Sequence, residues 1–270
     1  MKKSKVLYIS GSIGMGHVIK DMAIVNKLRK LNQNVEITWI ATNPATDYLK
    51  DKGESLHAMS HKFSSYSAFA EQYAKTHYTF IGYIIRFDPE MYKDKMKVRK
   101  KLGYDEIPLI VCSIGGTAIG KGLLELCNRA YPILKSKINQ LRMVLVTGPR
   151  LAPNDINTLP GVEIRGFVPD LYQHYAACDL AIVQGGFSST FELTALRRPF
   201  IFFPIEGHSD QEYVAKRLGR HNAGIRMDYS KTTPASLADQ VLINLNKSVS
   251  YKALNTDGAQ NAAEIINKYL

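Results

Sequence analysis

Two adjacent glycines, a group of hydroxyl side chains and a glutamate follow an apolar stretch that begins at Asp179. The stretch reads as a short strand, Gly185-Gly186 as a tight turn, and the residues up to Glu192 as a helix start. Such a turn directs backbone N–H groups and the positive end of the helix dipole at whatever lies above the strand, which suits a diphosphate. Glu192 can accept hydrogen bonds from a sugar diol, so the segment indicates a nucleotide-sugar site. The hydroxyl side chains belong to Ser188, Ser189 and Thr190.

A purely structural explanation competes for Glu192. The spacing Ser189-x-x-Glu192 matches a capping box, in which the glutamate closes back on the start of its own helix. The two roles are compatible, because a capping carboxylate still has a second oxygen for a ligand.

A second glycine-rich loop, with Gly11, Gly14 and Gly16, joins the first predicted strand to the first predicted helix and ends at His17. Its GxxGxG spacing differs from the GxGxxG dinucleotide fingerprint, and the next predicted strand leads into Thr42-Asn43 without the acidic residue that holds an NAD ribose. Redox use of NAD is therefore disfavoured. The tight turn explains the glycines but not His17, a titratable group at a helix start where a ligand would lie.

A third loop, Gly115-Gly116-Thr117 followed by Lys121, resembles a P-loop at first sight. Gly122 replaces the Ser or Thr whose hydroxyl binds magnesium, so hydrolysis of ATP or GTP is disfavoured. The backbone of the loop can still bind phosphate, with Lys121 as a nearby cation.

Metal chemistry has little support in the sequence. His57 and His61 could share one helical face, but no glutamate lies between them and no third ligand follows. The sequence also lacks an Asp-x-Asp pair that would hold a divalent ion against a diphosphate. We therefore predict no metal site and no cofactor.

Composition indicates a globular protein. The chain has 270 residues, and no apolar run approaches the roughly 18 to 20 residues of a membrane span. No signal-type stretch precedes the first strand. The cysteines are odd in number, lack CxxC spacing and lie in apolar contexts, so we expect reduced core thiols and a cytoplasmic protein. They are Cys112, Cys127 and Cys178.

The formal charge is +11, and the densest basic run lies between positions 93 and 101. A solvated helix face is the simplest interpretation. Peripheral contact with an anionic membrane surface is the next, because basic clusters gain about 1 kcal/mol per charge there. Nucleic acid is disfavoured, since no finger, basic zipper or RNA-binding motif accompanies the run. The basic residues are Lys93, Lys95, Lys97, Arg99, Lys100 and Lys101.

Strands and helices alternate along the chain, and the strands are continuous apolar runs, which is typical of parallel sheets covered on both faces. We predict an α/β fold of two Rossmann-like, doubly wound domains. The first spans 1–85 and is shortened, with two βα repeats and then the irregular segment Lys62–Thr76. The second spans 86–270, and its last helix could pack back on the first domain. The strands are predicted at Val6–Ser10, Val35–Ala41, Pro108–Ser113, Arg142–Thr147, Val162–Arg165, Leu180–Val183 and Phe200–Phe203.

Together these loops resemble the two-domain GT-B glycosyltransferases of the MurG-like family 28 kind, which transfer a sugar from a UDP donor with inversion, at a cleft between the domains. The resemblance lies in the loop from Gly11 to His17 and in three later stretches. They are Gly166-Phe-Val-Pro-Asp170, Gly185 to Glu192, and Pro204-Ile-Glu-Gly-His-Ser-Asp-Gln211. A departure is Val214-Ala215, where the family often has Asn-Ala.

The resemblance implies a role for each matching residue. Glu192 becomes the ligand of the ribose diol, and His17 becomes the catalytic base or the group that stabilises the leaving group. Phe167 and Val168 would flank the uracil, and Asp210 with Gln211 would hold hydroxyls of the donor sugar. The remaining donor-binding positions are Gly14, Gly16, Gly115, Gly116, Thr117, Gly185, Gly186, Ser188, Ser189 and Thr190.

The expected function is therefore transfer of a sugar, such as GlcNAc, from a UDP-sugar donor to an acceptor hydroxyl, without a metal ion. The acceptor is unknown, and a lipid-linked one at the inner face of the membrane fits the basic run and the apolar segment Phe80–Phe87. Two alternatives remain open. One is a nucleotide-sugar-binding subunit that needs a partner subunit or oligomer to complete its short first domain. The other is a UDP-sugar epimerase of the same fold.

Overall fold

The computed structural model describes residues 3–10, 15–58, 60, 79 and 81–270. The predicted segment Lys62–Thr76, together with Gly11, Gly14 and His61, lies outside the described residues. The chain divides into two compact units. Unit 1 contains Met1–Phe87 and Asn255–Leu270, and unit 2 contains Asp88–Leu254.

Within the described residues, the seven predicted strands are present close to their predicted bounds, and two short strands, Ser55–Leu56 and Ile225–Arg226, were not predicted. The strands are β1 (Ser4–Ile9), β2 (Val35–Ile40), β3 (Ser55–Leu56), β4 (Leu109–Ser113), β5 (Arg142–Val146), β6 (Val162–Arg165), β7 (Leu180–Gln184), β8 (Phe200–Phe203) and β9 (Ile225–Arg226). The helices are α1 (Met15–Leu31), α2 (Ala45–Asp51), α3 (Lys95–Leu102), α4 (Lys121–Lys137), α5 (Leu171–Ala177), α6 (Phe187–Ala195), α7 (Ser209–Arg220), α8 (Pro234–Asn244) and α9 (Gly258–Asn267).

Unit 1 is built on a parallel sheet in the order β1-β2-β3. The chain's last helix, α9, packs against α1, so residues from both ends of the sequence form this unit. Trp39 on β2 is fully buried, and its indole N–H donates to Glu54 Oε2 at 2.7 Å. Arg29 holds the same carboxylate with two bonds of 2.5 and 2.8 Å. The helix layer is thereby tied to the sheet by a charged group as well as by apolar contacts.

The opposite face of β1 carries exposed apolar side chains. Leu7 and Ile9 are 53% and 55% exposed, and among the described residues β1 pairs with β2 alone. A strand with one face in solvent normally carries polar residues on that face. Among the described residues, nothing covers these two apolar side chains fully. That the first domain is incomplete stays a prediction, because residues 61–78 lie outside the described part of the chain.

Unit 2 contains a parallel sheet in the order β6-β5-β4-β7-β8-β9. From β4 the chain adds β5 and then β6 on one side of the sheet. It then crosses back to β7, beside β4, and adds β8 and β9 on the other side. In such sheets ligands bind at the carboxyl ends of the two central strands, where the direction of winding reverses. Every residue of β4 is buried, as its continuous apolar sequence predicts. The loops that follow β4 and β7 are therefore held by the most buried part of the unit.

A buried carboxylate fixes the other end of these two strands. Asp179 accepts hydrogen bonds from Arg99 at 2.5 Å, from Lys95 at 2.5 Å and from the backbone N–H of Leu109 at 2.8 Å. The side chains of Arg99 and Asp179 are only 3% and 2% exposed. Arg99 also donates to the carbonyl oxygen of Ala177 at 2.8 Å. The basic run of α3 is thus only in part a solvated face, because Lys95 and Arg99 serve the fold.

A buried histidine lies in the same unit. The Tyr104 hydroxyl lies 2.7 Å from Nδ1 of His174 on α5, and donates to it when the imidazole is neutral. Burial, followed by the positive charge of Arg165, lowers the pKa of His174 to about 4, against an opposing contribution from Glu163. The imidazole therefore stays neutral in the folded protein at physiological pH.

We predict that Asp179→Ala lowers the free energy of unfolding by about 3 to 5 kcal/mol, because it leaves Arg99 charged and buried without its partner. Urea unfolding at pH 7 measures this. The matched control is Glu125→Ala, which removes an exposed ion pair with Lys121 at 3.8 Å and should change stability by no more than about 0.5 kcal/mol. Equal effects of the two changes would contradict the structural role of Asp179.

We also predict that stability falls as the pH is lowered from 7 towards 4. The unfolded chain protonates His174 near its ordinary pKa of 6.5, whereas the folded protein resists protonation until about pH 4. The lost stability is about 1 to 3 kcal/mol. His174→Gln removes this titration, so its stability should depend less steeply on pH in urea titrations. An unchanged slope would show that His174 does not cause the pH dependence.

Candidate functional site

The turn after β7 leads directly into an uncapped helix. The Gly185 N–H donates to the carbonyl oxygen of Phe203 at 3.0 Å, and Gly186 is the N-cap of α6 without any side-chain capping bond. The first N–H groups of a helix have no partners within the helix. The start of α6 therefore offers backbone donors and a positive dipole end at the carboxyl edge of the sheet.

The predicted capping box is not formed. Because α6 begins at Phe187, Ser189 lies inside the first turn and not at the N-cap. Glu192 lies in the second turn and is 7% exposed. The charge of Glu192 contributes to a raised pKa of Tyr175, which places the carboxylate and the phenol in the same buried region.

The hydroxyls of the first turn have different partners. Thr190 is fully buried, and its hydroxyl donates to the carbonyl oxygen of Gly186 at 2.8 Å. The proton of Thr190 is thus used within the helix, which removes it from the diphosphate role that the motif implies. Ser188 is partly exposed. Ser189 is bonded through its Oγ to the Tyr175 hydroxyl at 3.1 Å.

Close backbone contacts hold the neighbouring loops together. A Cβ atom on Gly148, after β5, would lie 2.1 Å from the carbonyl oxygen of Gly115, after β4. A Cβ atom on Gly185 would lie 2.9 Å from Cα of Pro204, after β8. Both distances are below what real Cβ atoms show, so only glycine permits these approaches. The carboxyl-edge loops of β5 and β4, and those of β7 and β8, pack in pairs for this reason.

The loop after β4 has the expected position. Gly115 adopts a φ of 71°, and Gly116 and Thr117 are partly exposed at the same edge of the sheet. Thr117 precedes a short 3₁₀ turn without capping it through its side chain. Lys121 begins α4 and lies 3.8 Å from Glu125 in an exposed ion pair. The loop therefore adds uncapped backbone to the site.

The remaining positions of unit 2 lie in the loops around this edge. Phe167, after β6, is 50% exposed, and Val168 beside it is partly buried. Asp210 is exposed in the first turn of α7. Gln211 Oε1 accepts from the Ile205 N–H at 2.8 Å, so this oxygen holds the β8 loop while the amide nitrogen can still donate.

A cavity of about 300 Å³ opens beside these loops within unit 2. Gln184, Pro204 and Ile205 line it next to the turn after β7. Its rim is charged, and Arg226 donates two bonds of 2.7 and 2.8 Å to Glu212. The volume is at the lower end of what small-molecule sites have.

In unit 1, His17 is exposed in the first turn of α1, next to the partly buried Gly16. Asp21 follows one turn later, a spacing that puts both side chains on one helix face. Asp21 accepts from the Ser10 hydroxyl at 2.6 Å and from the Tyr8 hydroxyl at 3.5 Å. Burial raises the pKa of Asp21, while the Ser10 bond and the charge of His17 lower it.

Sequence reasoning missed both Asp21 and Tyr175. The four-residue spacing from His17 could have pointed to Asp21. No local signal could have pointed to Tyr175, because its partners Ser113 and Ser189 belong to other elements.

Within the part of the chain that the structure describes, no group of three or more His, Cys, Asp or Glu side chains could hold a metal ion. Among the described helices, none combines the length and the apolar character needed to cross a membrane.

Comparison with known proteins finds glycosyltransferases. Residues 110–269, more than half of the chain, match the model of the glycosyltransferase family 28 C-terminal domain. A protein of Methanosarcina mazei named as an uncharacterized glycosyltransferase is 24% identical, over 98% of this chain and 76% of its own length. The UDP-N-acetylglucosamine–N-acetylmuramyl-(pentapeptide) pyrophosphoryl-undecaprenol N-acetylglucosamine transferase of Clostridioides difficile is 28% identical, over 63% of this chain and 42% of its own length.

The fold agrees as well. The crystal structure of MurG from Acinetobacter baumannii superposes with a TM-score of 0.57 at 16% identity, covering 97% of this chain and 95% of that one. The predicted α/β fold class of the GT-B glycosyltransferases is thereby confirmed. The chain therefore belongs to glycosyltransferase family 28 as a MurG-like member, as its glycine-rich motifs predict.

Proposed function

We propose that this glycosyltransferase moves a sugar, GlcNAc, from its UDP-linked donor to an acceptor hydroxyl with inversion and without a metal ion. The observation that carries the proposal is the uncapped start of α6 after Gly185-Gly186, with the buried carboxylate of Glu192 in its second turn. This constellation lies inside the region that matches the family model. The printed name of the Clostridioides difficile relative supports UDP-N-acetylglucosamine as the donor.

The donor would bind to unit 2. The backbone N–H groups at the start of α6 and the loop of Gly115 and Gly116 would hold the diphosphate. Glu192 would accept hydrogen bonds from the ribose diol, and Phe167 with Val168 would flank the uracil. The amide nitrogen of Gln211, with Asp210, would hold hydroxyls of the sugar.

The chemical step needs a base for the acceptor hydroxyl and a stabilised leaving group. His17 is exposed, and imidazole is the side chain that most often serves as a general base. The departing diphosphate gains negative charge in the transition state, and preorganised backbone donors stabilise such charge without a metal. Metal independence thus rests on the glycine turns and the helix dipole.

A lipid-linked acceptor at the cytoplasmic membrane face is the proposed partner. The relative from Clostridioides difficile carries pyrophosphoryl-undecaprenol in its name. On α3, Lys97, Lys100 and Lys101 are exposed, unlike Lys95 and Arg99, and could meet anionic headgroups.

One observation favours a second candidate, a donor-binding subunit that needs a partner. Leu7 and Ile9 on β1 are each more than half exposed, which is unusual for apolar side chains of a parallel sheet, whose two faces are normally covered. Turnover by the purified chain alone, at a rate independent of added cell extract, would exclude this candidate.

We predict that Glu192→Ala weakens UDP binding by about 1.5 to 3 kcal/mol, since a pair of charge-assisted hydrogen bonds is lost. Calorimetry in EDTA measures this. 2′-Deoxy-UDP tests the same contact from the ligand side and should bind the variant and the wild type with a smaller difference than UDP does. Glu125→Ala is the control and should bind UDP normally. Unchanged UDP affinity with reduced stability would make Glu192 a structural residue.

We predict that His17→Ala lowers kcat by about 10²- to 10⁴-fold, the usual contribution of a general base, with little change in UDP affinity. Release of UDP from UDP-GlcNAc with a polyprenyl-diphosphate-linked acceptor measures turnover. His57→Ala, also exposed in unit 1, is the control. Equal losses in affinity and rate would make His17 a donor-binding residue, and activity lost in EDTA and restored by Mg²⁺ would contradict metal independence.

A further inference from the structure

Three hydroxyl groups form a hydrogen-bonded chain beneath the turn after β7. Ser113, the last residue of β4, lies 2.6 Å from the Tyr175 hydroxyl, and that hydroxyl lies 3.1 Å from Oγ of Ser189 in the first turn of α6. Ser113 is 1% exposed and Tyr175 is not exposed at all. Ser113 and Tyr175 are thus shielded from water, and the partly exposed Ser189 ends the row of hydroxyls at the candidate site.

The phenol of Tyr175 stays protonated. Burial raises its pKa well above the ordinary value of 10, and the charge of Glu192 adds to this, while the bonds to Ser113 and Ser189 oppose it. A protonated phenol has a single proton to donate. When Tyr175 donates that proton to Ser189, its oxygen accepts from Ser113, and both buried groups are satisfied.

This direction leaves the proton of Ser189 available. Thr190 and Thr194, on the same helix, donate their hydroxyls to the carbonyl oxygens of Gly186 and Thr190, both at 2.8 Å. Hydroxyls in a helix commonly turn back to the backbone in this way. Ser189 is bonded as an acceptor instead, in the turn where the first N–H groups of α6 attract an anion.

We propose that Tyr175 is a positioning residue that holds the Ser189 hydroxyl so that its proton meets an oxygen of the bound diphosphate. Ser113 then donates to Tyr175, Tyr175 donates to Ser189, and Ser189 donates to the anion. Hydrogen bonds in such a chain polarise one another, and the dry interior strengthens them. This inference rests on the proposed donor site, and it adds residues that do not touch the donor themselves.

The test compares two ligands that differ only in the diphosphate. UDP and uridine are titrated by calorimetry into the wild type, Tyr175→Phe, Ser189→Ala and the double variant. We expect Tyr175→Phe to raise the Kd for UDP about threefold to tenfold, the effect of one lost hydrogen bond, and to leave the Kd for uridine unchanged. The double variant should bind UDP no more weakly than Ser189→Ala alone, because Tyr175 acts through Ser189.

Tyr251→Phe is the matched control. Tyr251 is another largely buried tyrosine, and its hydroxyl donates to the carbonyl oxygen of Arg198 at 3.1 Å, outside the chain of hydroxyls. Its removal should leave both affinities unchanged. If Tyr175→Phe does not fold, Ser113→Ala interrupts the same chain at its far end and should also weaken UDP selectively.

The possible failures are distinguishable. A wild type that binds neither ligand contradicts the proposed function itself. Normal UDP binding by Tyr175→Phe, or by Ser113→Ala where that replaces it, overturns the positioning role while the donor site stands. Equal weakening of UDP and uridine would show that Tyr175 only supports the fold, and additive effects in the double variant would show that it does not act through Ser189.

Discussion

The carboxylate of Asp179 is the constraint on which the site depends most. It receives Arg99 and Lys95 as charged donors and also the backbone N–H of Leu109, while the Asp179 N–H donates to the Leu109 carbonyl oxygen at 2.9 Å. These bonds fix the start of β4 against the start of β7. The two strands then run side by side, with Ser113 opposite Val183, so their far ends emerge together. The ion pairs of Asp179 at one edge of the sheet thus position the loops after β4 and β7 at the opposite edge.

At that far edge, the turns after β4 and β7 present backbone groups to the candidate site. Gly148 and Gly185 let neighbouring loops approach more closely than any side chain would permit. The start of α6 is left without a side-chain cap, which costs stability in an isolated helix but provides donors for an anion. Functional sites commonly break a rule of local stability in this way, because the unsatisfied backbone groups are needed for binding.

In unit 1, the candidate catalytic group is a single exposed side chain, that of His17. His17 shares a helix face with Asp21, a carboxylate held by Ser10 at the end of β1. The two side chains share one helix face, so the carboxylate lies beside the imidazole that would take the proton of the acceptor. The strand end that begins the glycine-rich loop thus also positions Asp21, through the hydroxyl of Ser10.

The sequence by itself determined most of the strands and the loops that join them. Buried parallel strands are continuous apolar runs, so β8 has the bounds that its residues predict. Glycine turns are equally local, because the residue types that permit them stand next to one another. This is why the turns at Gly115 and Gly185 could be identified before the fold was known.

Only the tertiary structure decided how those residues are used. Ser189 matched a capping box by spacing, but the helix begins two residues earlier, so the hydroxyl bonds to Tyr175 instead. Arg99 belongs to a run of basic residues that reads as a solvated face, yet it is buried against Asp179, which lies 80 positions further along the chain. The partners in these cases are distant in sequence and are brought together by the order of the strands. Local spacing carries no record of that order, which depends on how the buried faces pack.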